Sequence, residues 1–542
     1  MVQIRLFLIS FLLSMRDTAS AEPIDSDKCR LYRSRDTMDA TSRGFYRDIG
    51  LSDDSIAQVE KASEQRTTIS DTPGGLQMHL FCLTAQLSLG PGKVDVPPLN
   101  NTVVLENWSQ TCIAEPGCIV QPHASSDVSK LMRMISFFNV KFAVRSGGHS
   151  PNPGWSSISS GGVLVDMQKM NRIDLSADKS VATVGPGARW GEVIAAISPQ
   201  QVAVLGGRIP IVGVAGLLLG GGYSYLTGEF GTAADSVKNY EVVLGDGSIV
   251  HANSGHNSDL FWALKGGGPN FGIVTRFDLF TVPISDVWYE IILFTPDQAH
   301  AVLDAFSQWQ QDEGFDTKSS VTLSIGLDII TVGLLYSTPT DRPSCFEPFY
   351  SLQPALTAVP STNGTLAQVY EMAYAAVSTE PLRHDYRGAS SLIDADLYKS
   401  VYSYWREKAL AVRESTGANQ TFAMQHVAAN VAAYGRSQGG NPMGIPHCAH
   451  QWWTTLADWR EAEHDELVRS VAIGTSEQWK KLGTKRGSYL PFLYMNDASR
   501  DQNPLATYGT ENLDKLRAIA RKYDLHQVFQ RLQAGGFLLS KA

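Results

Sequence analysis

The chain has no excess of positive charge: 45 lysines and arginines face 54 aspartates and glutamates, a formal charge of −9. A nucleic acid or an anionic membrane is held by clustered cations that displace counterions, so neither is expected as a partner. Cysteine is scarce, six in 542 residues, and no pair has Cys-x-x-Cys spacing, which removes the usual sign of a redox dithiol or a structural zinc site. His447-Cys448-Ala449-His450 sets two imidazoles at i, i+3 and could bind a metal from one helical turn. It has no carboxylates nearby, so it reads as a pocket wall and no metal is expected. No Gly-x-Ser-x-Gly elbow supplies a nucleophile for acyl transfer. The glycines from Gly213 to Gly222 lack the strand, Gly-x-Gly-x-x-Gly, helix and later acidic residue of a nicotinamide-dinucleotide fold. There is no repeat, low-complexity tract or long charge block, and beyond the first residues no apolar run reaches the roughly 18 needed to span a bilayer. What remains, 43% hydrophobic and 18% charged, is the composition of a chain with more than one core and a small molecule as its partner.

The amino-terminal residues Met1 to Ala21 carry Arg5, an apolar run from Leu6 to Met15, and Ala19-Ser20-Ala21 as a cleavage site, so 1–21 is expected to be a signal peptide and the protein to be secreted. Four Asn-x-Ser/Thr triplets, at Asn100, Asn107, Asn363 and Asn419, agree with that route. So does the even cysteine set Cys29, Cys82, Cys112, Cys118, Cys345 and Cys448. Cys112 with Cys118 could close the loop Ile113–Gly117, and Cys29 with Cys82 could tie down the first segment; reduced, buried thiols are the alternative.

Glycine, by contrast, is concentrated. Val144-Arg145-Ser146-Gly147-Gly148-His149-Ser150 places a histidine directly after a diglycine turn. Ahead of it, Val128, Leu131, Met132, Ile135 and Phe138 recur at helical spacing behind a capping Ser126 or Asp127, and Val140–Val144 reads as a buried strand. Such a turn lets backbone N–H groups converge on an anion such as a pyrophosphate, with Arg145 adding charge and His149 beside the ligand. Gly206 to Gly222, followed by Gly231-Thr232-Ala233-Ala234-Asp235, and Asp259 to Thr275 are further glycine-rich clusters. Glycine weakens helices and strands, so this density implies main chain approaching a large flat or phosphorylated ligand.

Periodicity sorts the rest into an α+β chain. Gly162–Asp166, Val181–Val184 and Asn239–Leu244 are strand-like and alternate with short helical patterns such as Val193, Ile194 and Ile197. Beyond Pro283 come strands at Tyr289–Phe294, Val321–Ile325 and Ile330–Tyr336, and a helix marked by Val302, Leu303, Phe306 and Trp309. A sheet with helices on one face would leave the other free to roof a ligand.

Taken in order, these segments resemble the berberine-bridge-enzyme-like FAD-linked oxidases, in their fungal branch with a vanillyl-alcohol-oxidase (PCMH) type of flavin domain. The likeness runs from about Trp108 to Pro283 and returns in Tyr494-Met495-Asn496-Asp497-Ala498, in the helix around Leu513, Leu516 and Ile519, and in Tyr523 to Phe537. Residues 290–480 carry no motif. The resemblance implies a two-part PCMH-type FAD-binding domain, with an amino-terminal segment 22–112 and a main part 113–287. It implies a substrate domain 288–487 built on an antiparallel sheet covered by helices on one face, and a berberine-bridge-like segment 488–542 that returns to the flavin domain.

The resemblance also implies FAD joined by one covalent bond from His149 to the 8α-carbon. Many relatives add a second bond through a cysteine three residues before the valine of Val-Gly-x-x-Gly, and here that position is Ile209, which cannot form a thioether. A rigid diglycine turn suits the attachment, because a neutral imidazole must be held close and correctly turned. Cofactor contacts are implied for Arg145, Ser146, Gly147, Gly148, Ser150, Val212 and Gly213, for Gly220, Gly221, Gly222 and Asp235, and for Gly272 and Ile273. A valine at Val212 goes with access of dioxygen to the flavin. Tyr494, opening the Tyr-x-Asn segment, is the implied substrate-side catalytic group, with a packed tyrosine as the plainer alternative, and Asn496 would hydrogen-bond flavin or substrate. The expected reaction is hydride transfer from a small alcohol, amine, carbohydrate or secondary metabolite to FAD and then to O2, giving H2O2. A dehydrogenase with another acceptor and a flavin-retaining binding or storage protein are the alternatives.

Overall fold

The computed structural model describes residues 40–64, 75–311 and 315–542. The segment 1–21 and Cys29 lie outside them. The apolar runs gather into three sheets. The first has four strands, β1 (Val94–Asp95), β2 (Cys118–Val120), β3 (Lys141–Arg145) and β4 (Gly162–Asp166), in the order β1-β2-β4-β3. β2, β3 and β4 are parallel, and β4 is buried along its whole length, as a parallel strand covered on both faces must be.

The helix Ser125–Phe138 is the crossover from β2 to β3, burying Val128, Leu131, Met132, Ile135 and Phe138 and ending at Asn139 in the left-handed conformation. It begins at least two residues earlier than expected, with Ala124 at the cap in place of Ser126 or Asp127. Asp127, expected as a cap, instead accepts the His123 N–H (2.9 Å) and pairs with Lys93 (2.8 Å).

The second sheet is antiparallel, ordered β5-β6-β9-β7-β8 from β5 (Ile173–Leu175), β6 (Val181–Val184), β7 (Val237–Val243), β8 (Ile249–Asn253) and β9 (Ile273–Phe280). The third, also antiparallel, contains β10 (Asp286–Phe294), β11 (Ser319–Ile325), β12 (Ile330–Tyr336), β13 (Leu356–Thr365), β14 (Arg383–Leu392), β15 (Asn419–Val427), β16 (His450–Trp459) and β17 (Tyr489–Leu490). Its order is β13-β10-β12-β11-β15-β16-β14-β17.

Helices Ala299–Gln310, Ala395–Thr416 and Asp465–Arg486 cover one face of this third sheet, the arrangement implied by the sequence. The period-2 alternation of a strand then divides its residues. Phe422 and Met424 of β15 and Trp453 of β16 join the core under the helices, while Gln425 and Trp452 turn the other way. After β17 the chain returns to the first sheet, where Phe142 donates to Leu532 O (3.0 Å) and Ala534 donates to Phe142 O (2.8 Å).

The cysteine pairing differs from both expectations. Cys82, on the helix Gly75–Leu89, is bonded to Cys118, the first residue of β2. Cys118 faces that helix inside the core, whereas Cys112 is turned away and donates its thiol to Ser150 O at 3.2 Å. Asn107 is also unlike the other three acceptor asparagines, which are exposed: it is 4% exposed and its amide nitrogen is used by Cys112 O (3.1 Å), leaving no room for a glycan. Among the described residues no helix is long and apolar enough to cross a membrane.

Candidate active site

A cavity of about 400 Å3 lies between the glycine turns of the first two sheets and the uncovered face of the third. Its floor is main chain. Gly147 and Gly213 touch so closely that a Cβ on either would come within 2.5 Å or 2.3 Å of the other's nitrogen. Arg189 staples the two turns, donating from Nη1 to Gly147 O (2.8 Å) and Ile211 O (2.6 Å). Trp108 N–H takes Gly148 O (3.0 Å). In a trans peptide the N–H opposes the carbonyl, so the N–H groups of Gly148 and His149 point away from these two partners.

Of the residues predicted to contact the cofactor, Ser146, Gly147, Gly148, His149 and Ser150 line this floor. Val212, Gly213 and Gly220 adjoin them, and Gly272 and Ile273 close one end. Tyr494 and Asn496 stand on the same cavity.

Four predicted residues do not reach it. Arg145 is 0% exposed and its charge is spent on Asp166 (3.1 Å) and Val103 O (2.8 Å), because its side chain points into the protein at the end of β3. Gly221 and Gly222 have positive φ and are required by internal packing: a Cβ would strike Met443 at 2.5 Å and Ala233 at 2.6 Å. Asp235 caps its own turn by accepting from Thr232 N–H (3.0 Å) and Oγ1 (2.7 Å), and takes the Asn441 amide (3.0 Å).

His447 and His450 do not share a helical turn. His450 opens β16, buried, with Nδ1 on Cys448 O (2.8 Å) and Nε2 accepting from Trp452 Nε1 (3.0 Å), while His447 lies against Arg436.

The roof adds to Tyr494 and Asn496 side chains that the sequence did not single out. Gln425 of β15 donates to Asp497 Oδ2 (2.5 Å) and accepts from Arg208 Nη2 (2.6 Å), so guanidinium, amide and carboxylate form one chain on the cavity wall. Arg208 also lies over the Tyr223 ring, 4.8 Å from its centre. Burial lifts the Asp497 carboxyl to about 6, although the Gln425 hydrogen bond and Arg208 oppose the rise. Tyr494 is stacked on Trp452 at 4.5 Å and accepts from Asn496 Nδ2 (3.0 Å), which also donates to Leu217 O (2.9 Å). Burial pushes the Tyr494 hydroxyl well above the ordinary tyrosine value, with Asp497 adding to the rise. A neutral Tyr494 that accepts from Asn496 keeps its own proton available to a ligand.

His149 sits at the floor's edge, where burial first, and then His384 and Arg189, lower its pKa to about 3. Its imidazole is therefore neutral and nucleophilic at physiological pH.

A cavity floored by close-packed glycines, with a neutral histidine on one wall and a half-buried carboxylate on the other, defines a flavin enzyme of the PCMH type. Residues 116–253 match the family model described as an FAD binding domain. An FAD-dependent monooxygenase from Arthrobotrys oligospora is 38% identical over 464 residues, covering 85% of this chain and 90% of that protein. The bifunctional solanapyrone synthase of Alternaria solani is 33% identical over 438 residues, covering 80% and 83%. The glucooligosaccharide oxidase of Acremonium strictum, described with a 6-S-cysteinyl, 8α-N1-histidyl FAD, superposes with a TM-score of 0.66 at 22% identity, covering 78% of this chain and 92% of that one. The chain belongs to the berberine-bridge-like, PCMH-type family of FAD-dependent oxidoreductases.

The cavity fits such a cofactor. Main chain can approach a flat ring and a pyrophosphate where no Cβ intervenes, and Asn152 Oδ1 is a buried acceptor with no protein partner on the same wall.

Proposed function

We propose that this protein is a singly covalent FAD oxidase that oxidises a small organic substrate in fungal secondary-metabolite biosynthesis and passes the electrons to dioxygen. The observation that carries the reading is the placement of His149, Tyr494 and Asp497 on one cavity floored by glycine. Bound FAD supplies a hydride acceptor that dioxygen can reoxidise. His149 would hold it through the 8α-carbon, and the carbon side chain of Ile209, on the same cavity, would leave that bond single. The histidyl linkage named for the glucooligosaccharide oxidase and the solanapyrone synthase among the relatives support the linkage and the pathway class respectively.

Asp497 is the group to take the substrate's O–H or N–H proton as its C–H bond gives up hydride. A carboxylate with a pKa near 6 is largely ionised at neutral pH yet basic enough to accept a proton. Gln425 holds one oxygen of that carboxylate and is itself held by Arg208, so the base is fixed in place. Tyr494 donates to the substrate oxygen and aligns it. Val212 on the floor is the side chain that leaves dioxygen a path. The Cys82–Cys118 bond suits a chain that passes through the secretory route.

The test is turnover under air with metabolites bearing an oxidisable alcohol or amine. One H2O2 per O2 consumed is expected, with no oxygen atom in the product. Fast dye reduction without peroxide would instead make the protein a dehydrogenase. An 18O atom in the product would make it a monooxygenase, as several relatives are named, and a flavin that stays yellow with every substrate would make it a binding protein.

A further inference from the structure

Trp108 lies flat between two imidazoles. Its indole is 4.1 Å from the His149 ring with 8° between planes, and 3.8 Å from the His384 ring with 2°. The three rings come from separate parts of the chain: His149 from the diglycine turn, Trp108 from the segment before the turn Gln110–Cys112, and His384 from β14 of the third sheet. Main-chain bonds fix their register. Trp108 donates to Gly148 O (3.0 Å), Gln110 donates to Leu382 O (2.9 Å), and His384 N–H donates to Ser109 Oγ (2.8 Å). His384 is 6% exposed and its Nδ1 has no hydrogen-bond partner, so polar contacts do not explain a histidine there. The flat face of the ring is what the site uses.

We propose that Trp108 and His384 are positioning residues for cofactor attachment: together they clamp the His149 imidazole in one plane and present its edge to the 8α-carbon of FAD. The clamp rests on the covalent reading above. Stacking engages the face of an imidazole and leaves the edge, which bears both nitrogens, unobstructed by the indole. The same packing excludes water from one side of the ring, which keeps it neutral, and burial lowers His384 to about 4 as well. The charged group facing His149 is Arg189, itself paired with Glu106 at 3.5 Å. In the attachment an imidazole nitrogen forms the C–N bond, one hydrogen leaves the 8α-methyl and one leaves the imidazole, and dioxygen takes both with two electrons to give H2O2.

The experiment uses the full chain made under riboflavin limitation, with FAD then added, following acid-stable flavin per chain by fluorescence and intact mass. Trp108→Ala should slow attachment about 100-fold, the effect of a badly oriented reactant, while still binding FAD that acid releases. Trp108→Phe should restore the rate to within about tenfold, and His384→Phe, which keeps a flat ring, should exceed His384→Ala by about threefold. In the Ala variants the attachment rate should also fall as pH drops below 6.5, the ordinary histidine value, whereas the wild-type rate stays level there. A merely structural defect would not move that profile. Ala variants at both positions that attach FAD at the wild-type rate, with the wild-type pH profile, would overturn the clamp while leaving the covalent link intact. Should Trp108→Ala not fold, equal rates for His384→Ala, His384→Phe and wild type would overturn it equally. A wild-type protein that releases all its flavin in acid, as His149→Ala must, would overturn the covalent reading and the clamp with it.

Discussion

The floor and the roof of the cavity are built on opposite principles. The floor is backbone brought to contact distance by the absence of side chains at Gly147 and Gly213, and it can change little without being destroyed. The roof is made of side chains from neighbouring strands, Tyr386 of β14 and Gln425 of β15, with Asp497 and with Tyr494 backed by Trp452 of β16, and none of them is needed for a strand's backbone pairing. A family can therefore keep the floor for its cofactor and vary the roof for its substrates.

That contrast can be broken most decisively at the floor's edge. His149→Ala should abolish acid-stable flavin completely, read as a colourless pellet after precipitation, and a yellow pellet would move the linkage elsewhere. At the roof, Asp497→Asn should slow flavin reduction by about 100-fold or more in anaerobic stopped flow, within the range for removal of a general base. The wild-type rate should fall as pH drops through about 6, because protonation removes the basic form, and the variant should lose that limb. A variant as fast as wild type would return the role to Tyr494. Below the floor, replacing both Cys82 and Cys118 by alanine should cost about 2–4 kcal/mol in denaturant melts, because the bond closes a long loop. A smaller effect sharpens the contrast: Gly213→Ala should cost about 1–3 kcal/mol and lower FAD retention, since its Cβ would meet the Gly147 main chain at 2.3 Å and Ser146 Oγ at 2.6 Å. Gly161→Ala, with nothing within 4 Å, should be neutral in the same melts.

The floor was legible in the sequence because only glycine allows two backbones to touch, so residue type alone carried the geometry. Gly147, Gly148 and Gly213 could be read that way, and His149 with them. Gly221 and Gly222 show the limit: the same residue type answers to Met443 and Ala233 as readily as to a ligand. The roof was not legible. Gln425 sits in an ordinary strand, and a period of two is identical whether the outward face meets water or a cavity. Asp497 adjoins the recognised Asn496, but its raised pKa depends on burial under a sheet whose nearest partner, Gln425, is 72 positions away. Arg145 misled for a related reason, since nothing local shows that Asp166 will neutralise it. A short loop suggests Cys112 with Cys118 and an untethered first segment suggests Cys29 with Cys82, while packing of the helix Gly75–Leu89 on β2 decides the outcome.

Gln533, Gly535, Gly536 and Phe537 line the same cavity as His149, and residues 532–534 are bonded to β3. A ribosome adding about 5–20 residues per second needs on the order of a minute to travel from the diglycine turn to these residues. Until they emerge, a nascent chain exposes an open trough, and bound flavin can dissociate from it. Capture of the vitamin-derived group therefore belongs to the finished polypeptide, and a stalled or clipped product lacking that stretch should be colourless.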